Sequence, residues 1–408
     1  GNTKLDSRKN AETECYEERT LETGETYFEY TGKPIKVACS DKRPHRIVKL
    51  ANNLEVFITQ DETHEHAAAA MNVMVGFMHD PDELPGLAHF CEHMLFIGTT
   101  KYPEVDGFNA YLSKYEGMNN AFTAENRTCY YFTIANAGLE EALDRWAQFF
   151  ISPLFQAEYV EREAKAVDSE FNNNINNDVW HAFRLNCLMS KLGHPVSKFN
   201  IGNYETLVGY AKLRGLDLRE ELVKFYEKYY SADIMKLAVV GSQSLDQLTE
   251  WVVKKFAPIK SRGNAVEPVE DPFGSEQVGK MARLKLNNEG YVLNLLFPLP
   301  NLRHMYRECP IGYVENLLSY EGEGSLFSYL EQKGWIKWIS SYNHNLAGYS
   351  CNLVIAVSMT ELGYKNYQKV ICDIFSYINL LQQGQLSEEY FNDTKWKHHN
   401  QFEFSTPM

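Results

Sequence analysis

His89-Phe90-Cys91-Glu92-His93 is the stretch from which the rest of the chain is read. On an α-helix successive residues turn by about 100°, so positions i, i+3 and i+4 share a face. His89 and His93 then point the same way, one turn apart, with Glu92 beside them. Cys91 lies about 200° round from His89 and faces away, as a core thiol does. Two imidazoles with a carboxylate alongside suit a catalytic Zn²⁺, which takes three protein ligands and leaves a fourth position for water. In that reading His89 and His93 are ligands and the metal lowers the pKa of its water toward about 7. Glu92 takes the water's proton and passes it to a leaving amine. The order His-x-x-Glu-His inverts the commoner His-Glu-x-x-His.

The third ligand has to come from another segment. The stretch from Glu158 to Leu188 reads as one long helix offering Glu158, Glu161, Glu163, Asp168 and Glu170. Glu163 and Glu170 are two turns apart on one face, and periodicity does not choose between them. His64-Glu65-His66 and His398-His399 lack the spacing of a metal pair and read as exposed loop and exposed helix.

Around the motif the apolar pattern alternates between two periods. Leu54–Ile58 and Ala70–Val75 read as strands. Asp80-Pro-Asp-Glu-Leu-Pro85 is a turn feeding the motif helix, which stops near Gly98. Phe108–Tyr115 reads as a helix, Asn120–Thr123 with Thr128–Ile134 as a strand pair, and Leu139–Phe150 as an amphipathic helix. Met235–Val240 is a strand, Leu245–Phe256 a helix, and residues 258–278 a linker. Beyond it the order recurs. Tyr291–Phe297 is a strand, and Gly312-Tyr-Val-Glu-Asn-Leu-Leu-Ser319 takes the place of Gly86–His93. Leu326–Leu330 echoes Phe108–Leu112. The copy has no histidine in its pentapeptide position, so it cannot hold the same metal. Glu388–Phe404 reads as a final helix.

The whole chain has 408 residues, 44% of them hydrophobic, and a formal charge of -14. That acidity argues against a nucleic-acid surface, which is basic. No run of about 20 apolar residues predicts a membrane span, and residues 1–24 lack an apolar signal core. The eight cysteines are scattered with no Cys-x-x-Cys, the pattern of reduced thiols in a cytoplasmic compartment.

The chain resembles the insulysin branch of the pitrilysin-like family of inverted-motif zinc metallopeptidases. The resemblance is carried by His89-Phe-Cys-Glu-His-Met-Leu-Phe96, Gly98-Thr99, Lys101-Tyr-Pro103, Asn120-Ala-Phe-Thr123, Leu143-Asp-Arg145 and Ala147-Gln-Phe-Phe150. It continues through Pro153-Leu-Phe155, Arg162-Glu163, Ala166-Val-Asp-Ser-Glu170, His194-Pro195, Ser197-Lys-Phe199, Gly322, Gly324-Ser-Leu326 and Lys333-Gly-Trp335. The resemblance covers roughly residues 45 to 408. It implies Zn²⁺, one per chain, and makes Glu170 the third ligand, because residues 94–169 give the family's spacing of 76 between histidine and glutamate. It gives Glu163 an outer role, orienting a ligand histidine. It places Asn120, Ala121 and Phe122 on a substrate-binding edge strand, and Gly322 and Gly324 in a second contact with the substrate. There this chain departs from the pattern, with Tyr320 where relatives often carry histidine and Ser340-Ser341 in place of a glycine pair.

The fold so implied is α+β: two homologous domains, each a mostly antiparallel sheet with helices packed on one face. Residues 1–30 are expected to be a polar mobile tail, 31–262 the catalytic zinc-binding domain, and 275–408 a truncated second domain without metal ligands. The implied function is a zinc-dependent endopeptidase for short or unfolded peptides. Its expected partners are peptide substrates and the C-terminal half of a longer enzyme, which is a possible homodimer. A fragment without that half is expected to be weakly active or inactive. A mitochondrial processing-type peptidase would call for an Arg-rich amphipathic start, and residues 1–24 are too acidic. A non-catalytic peptide-binding or scaffold subunit would have lost metal residues, and all four positions are filled.

Overall fold

The computed structural model describes residues 15–266, 268–288, 290–344, 351–384 and 387–406. In chain order the first strands are β1 (Tyr16–Thr20), β2 (Thr26–Tyr30), β3 (His45–Leu50), β4 (Glu55–Gln60) and β5 (His66–Val73). Helices α1 (Leu87–Leu95) and α2 (Gly107–Lys114) follow, then β6 (Met118–Thr123) and β7 (Thr128–Ala135). Next come α3 (Leu139–Ile151), α4 (Ala157–Asn174), α5 (Asp178–Leu188), α6 (Tyr210–Arg214), α7 (Leu218–Tyr229), β8 (Met235–Gly241) and α8 (Leu245–Phe256). The rest of the chain supplies β9 (Tyr291–Leu299), α9 (Pro310–Leu318), α10 (Leu326–Gln332), β10 (Ile336–His344) and β11 (Cys351–Met359). It ends with α11 (Glu361–Lys365), α12 (Tyr367–Gln383) and α13 (Glu388–Glu403).

Every second residue of β5 and of β7 is buried, the mark of a sheet with one face on the core. The first sheet has the strand order β1-β2-β3-β4-β8-β5-β7-β6. Its pairs are antiparallel except β4 with β8, which run parallel. Helices carrying Phe90, Leu143, Trp146, Phe150, Val252 and Phe256 close the buried face, and these side chains are almost wholly shielded from solvent. Trp146 sits edge-on to both Phe132 of β7 and Phe150, a contact geometry that adds to the area it buries. The order leaves β6 at an edge of the sheet, beside α1.

The second unit repeats the first. Its sheet runs β10-β11-β9, matching β6-β7-β5, with α9 between β9 and β10 as α1 lies between β5 and β6. Leu353, Ile355 and Val357 of β11 pack under α12 through Val370 and Ile374. The fold is therefore α+β with two homologous domains.

Three sequence expectations give way. Residues 15–30 are not a tail. They form the β1–β2 hairpin, which joins the sheet by pairing Tyr27 with Leu50 of β3. Charged residues fill the exposed positions of this edge hairpin and mask its period, while Tyr27 is buried and Tyr16 meets Tyr30 edge-on. Residues 1–14 lie outside the described residues. The long helix is two, α4 and α5. Asn177 interrupts it by accepting the N–H groups of Val179 and Trp180 as an N-cap, the position asparagine favours over a helix interior. The domain division is also not a single cut. Residues 176–197 and 38–40 group with the second unit, 268–408. Asp178 accepts the backbone N–H groups of Asn287 and Asn288, and the Lys191 N–H donates to the Pro272 carbonyl.

Candidate metal centre

The site is built on α1. Its inner face buries Leu87, Phe90, Cys91, Met94 and Leu95, which fixes the rotation of the helix about its axis. Cys91 is held as a neutral thiol because burial pushes its pKa far up. The same rotation turns His89 and His93 toward α4, with their ring centres 4.8 Å apart. Both imidazoles are mostly shielded, at 13% and 15% exposure.

Glu170 comes across from α4. One carboxylate oxygen lies 3.3 Å from His89 Nε2 and the other 3.5 Å from His93 Nε2. The three candidate ligand atoms all fall within 4.8 Å of one another, the one such cluster among the described residues. Ligand atoms held about 2.0–2.2 Å from a zinc in a tetrahedron stand about 3.3–3.6 Å apart. The two nitrogen–oxygen separations fall in that range, although to different oxygens of Glu170, and the donor set of two nitrogens and an oxygen fits the metal.

Each histidine is also held from behind. His89 Nδ1 lies 2.7 Å from the Ile201 carbonyl oxygen. A carbonyl only accepts, so Nδ1 carries the hydrogen and Nε2 is free toward the cluster. His93 Nδ1 faces Glu163 at 3.5 Å, and Glu163 is itself pinned by Arg162 at 2.9 Å. Arg162 in turn lies over the Tyr159 ring, 4.4 Å from its centre. Backing of ligand histidines by a carboxylate or carbonyl is the common outer arrangement of metal sites.

The local electrostatics are those of a cation site. Burial disfavours a charge on His93, yet Glu163 and Glu170 outweigh it and push its pKa up to about 9. Glu170 is held far below the usual carboxylate range by His89 first and His93 second. Glu163 is lowered too, its burial offset by His93 and Arg162. Two carboxylates thus stay charged around the imidazoles. Glu92 behaves differently. Only 7% exposed, it is shifted upward by desolvation, against the pull of His89 and the Thr123 hydroxyl. That hydroxyl donates to Glu92 Oε2 at 2.6 Å.

Thr123 ends β6, so the edge strand reaches the site. Ala121 alternates onto the same side as Thr123, while Asn120 and Phe122 face the other way and are exposed. Phe122 carries Arg127 over its ring at 5.8 Å. The Ala121 N–H is taken by the Asn120 side chain at 2.9 Å, a bond an incoming strand would have to replace. Gly322 and Gly324 lie in the second unit, in the turn between α9 and α10. The Tyr320 ring covers Gly322, where a Cβ would stand 2.3 Å from its hydroxyl oxygen, whereas Gly324 has a φ of +79 and open space around it.

Several members of the site carry no motif in the sequence. A backbone carbonyl such as that of Ile201 is invisible to side-chain reading. Thr123 was legible only as part of a strand. Glu315 and Ser319 of the second unit stand where His89 and His93 stand in the first, so the second unit lacks the histidine pair.

A duplicated α+β fold thus carries an inverted His-x-x-Glu-His pair on its first helix and a carboxylate from a neighbouring helix, a donor set that could hold a metal ion. Residues 55–194 match the family model Insulinase (Peptidase family M16), and residues 217–397 match Peptidase M16 inactive domain. The chain belongs to this insulinase family. It is 42% identical over 363 residues to the mug138 protein of Schizosaccharomyces pombe, covering 89% of this chain and 38% of that one. It is 38% identical over 365 residues to insulin-degrading enzyme of Homo sapiens, covering 89% and 36%. The crystal structure of pitrilysin superposes with a TM-score of 0.87 at 27% identity, over 96% of this chain and 41% of that chain. The chain therefore spans little more than a third of the length of these curated relatives. Among the described residues no helix is long and apolar enough to cross a membrane.

Proposed function

We propose that this chain carries the metal centre of a zinc-dependent endopeptidase acting on short or unfolded peptides. The observation that carries the reading is the convergence of His89 Nε2, His93 Nε2 and a Glu170 carboxylate oxygen within one ion's reach. When bound, a zinc ion supplies Lewis acidity, polarising an amide carbonyl and making water a stronger acid. The residues do the rest. Ile201 and Glu163 fix the two rings so that Nε2 of each faces inward. The Thr123 hydroxyl holds Oε2 of Glu92 and leaves Oε1 to receive a proton from water and return it to the departing amine. The raised affinity of Glu92 for a proton suits it to that exchange. The β6 edge at Asn120, Ala121 and Phe122 offers backbone groups to an extended peptide, a mode tolerant of side-chain identity. Gly324 offers an open turn for a second contact in the second unit.

Full turnover is assigned to a longer protein, since the curated relatives extend well beyond the part that this chain matches. A purely scaffolding role is disfavoured because all four metal-centre positions are filled.

Metal analysis and peptide cleavage test the reading together. Wild type and Glu92→Gln should each hold about one zinc per chain. Cleavage by the longer protein should fall at least 10²-fold in the variant, the scale of lost general-base catalysis. Undiminished cleavage removes Glu92 as the base. Absence of zinc from the wild type removes the metal centre.

A further inference from the structure

Two loops meet at the start of α1, and their geometry accounts for the aim of His89. Asp80 is 1% exposed, although it lies seven residues before the first residue of the helix. Its Oδ2 accepts the Gly86 N–H and its Oδ1 the Ala88 N–H, both at 2.7 Å. These are donors of the first turn, which have no partner inside the helix. Gly86 has a φ of +95 and is crossed by a second loop. A Cβ on Gly86 would lie 2.3 Å from Gly202 Cα and 2.8 Å from Gly202 N. Gly202, with a φ of +74, would bring its own Cβ to 2.9 Å from Gly86 Cα. Only two glycines allow this approach. Lys198 ties the second loop to the first by donating to the backbone carbonyl oxygens of Met78 and Asp80.

The crossing sets one distance that matters to the metal. The peptide unit linking Ile201 and Gly202 rests on Gly86, and His89 stands one position short of a full turn further on. From that seat the Ile201 carbonyl reaches His89 Nδ1 at 2.7 Å. Any residue larger than glycine at the crossing lifts the second loop and withdraws that carbonyl. His89 would then be free to change tautomer or rotate, and Nε2 would no longer be presented to Glu170.

We propose that Asp80, Gly86 and Gly202 are positioning residues for the metal: the clamp of the two loops on the start of α1 fixes His89 in its metal-binding tautomer and orientation. This inference rests on the metal reading above. It says that residues making no contact with the ion set its affinity.

The test uses zinc affinity, measured by chelator competition, and the visible spectrum of the Co²⁺-substituted chain. Gly202→Ala and Asp80→Asn are the variants. In Asp80→Asn an amide nitrogen must face one of two N–H donors, which loosens the clamp without emptying it. Gly215→Ala is the control, because Gly215 also has a positive φ, of +66, yet has nothing within 4 Å of its would-be Cβ. Both clamp variants should bind zinc about 10- to 100-fold more weakly, the usual effect of losing an outer partner, and should shift the Co²⁺ bands. Gly215→Ala should melt earlier while keeping both readouts. Zinc affinity within twofold of wild type in the clamp variants, alongside a lower melting temperature, would show the clamp to be structural only and overturn the proposal. A wild type that takes up no zinc overturns the metal reading itself, whatever the variants do.

Discussion

Asp41, Asp61 and Asp233 bind protons far more weakly than free aspartate, each for a nameable reason. The Arg43 guanidinium holds Asp41 down to about 2. Asp61 is buried, which alone would raise it, but the Thr63 hydroxyl and N–H, Arg43 and His64 more than compensate. Asp233 is lowered against its burial by Ser231, Ser261, Asn53 and the Gly263 N–H. A carboxylate whose folded pKa is depressed contributes stability that is present above its unfolded value near 4 and lost as pH falls through the folded one. The melting temperature should therefore fall steeply below about pH 4, and Asp61→Asn should flatten that limb while lowering stability at pH 7. An acid limb of unchanged slope in the variant would deny Asp61 its share. In the candidate site, the histidine pair was legible because both ligands lie within one turn of one helix. Glu163 and Glu170 were not separable by period, since both share a face of α4. The family spacing singles out Glu170, and the placement of α4 beside α1 brings Glu170 to both Nε2 atoms and Glu163 to one Nδ1. Glu163→Gln should accordingly weaken zinc binding by about 10- to 100-fold, and Glu170→Gln by more. Equal losses would erase the distinction between ligand and backing residue.

At the scale of elements, the two helices that share the candidate ion are unequally anchored. Seven of the nine residues of α1 are buried. In α4 only Ala164 and Val167 of eighteen residues are. Phe90→Ala in α1 should cost about 3–5 kcal/mol, the range for emptying a packed aromatic site, as read by chemical unfolding. The outer helix is held by far less apolar area, so its local opening should need less free energy. Amide exchange in the metal-free chain should be faster over residues 163–170 than over 88–95. Zinc should slow the α4 amides more, because a shared ion would strengthen the tie that Glu170 already makes from α4 to His89 and His93 of α1. Equal protection of the two helices without metal would contradict this account. The same contrast explains what the sequence disclosed. Helices with a broad apolar face, such as α1, α3 and α8, announce themselves by period. The β1–β2 hairpin and the break at Asn177 do not, because each is decided by partners distant in the chain or by a single capping side chain.

For the whole molecule, the repeated order of strand, helix pair and hairpin made the duplication readable, because each copy carries its own periodic segments. The path between the copies was not readable. The chain leaves the first unit at Ile175, runs through residues 176–197 with the second, and returns at Lys198. Several of its anchors in that excursion are polar and backbone-directed, which leave no periodic signal. The Asp178 carboxylate holds two N–H groups at Asn287 and Asn288, Lys191 N–H bonds Pro272, and the His194 ring bonds the Glu270 carbonyl at 2.9 Å. A cut after residue 267, where a contiguous first domain would end, removes every one of those partners while keeping residues 176–197. Backbone stripped of its partners opens locally and becomes a protease site. The shortened protein should therefore be cleaved by trypsin at Arg184 and Lys191 well before sites such as Lys236 in β8, whereas the 408-residue chain should resist at both. Mass spectrometry of the early fragments reads the outcome. Equal resistance at Arg184 and Lys191 in the two proteins would mean that residues 176–197 are held by the first unit after all, and the interleaved division would have to be abandoned.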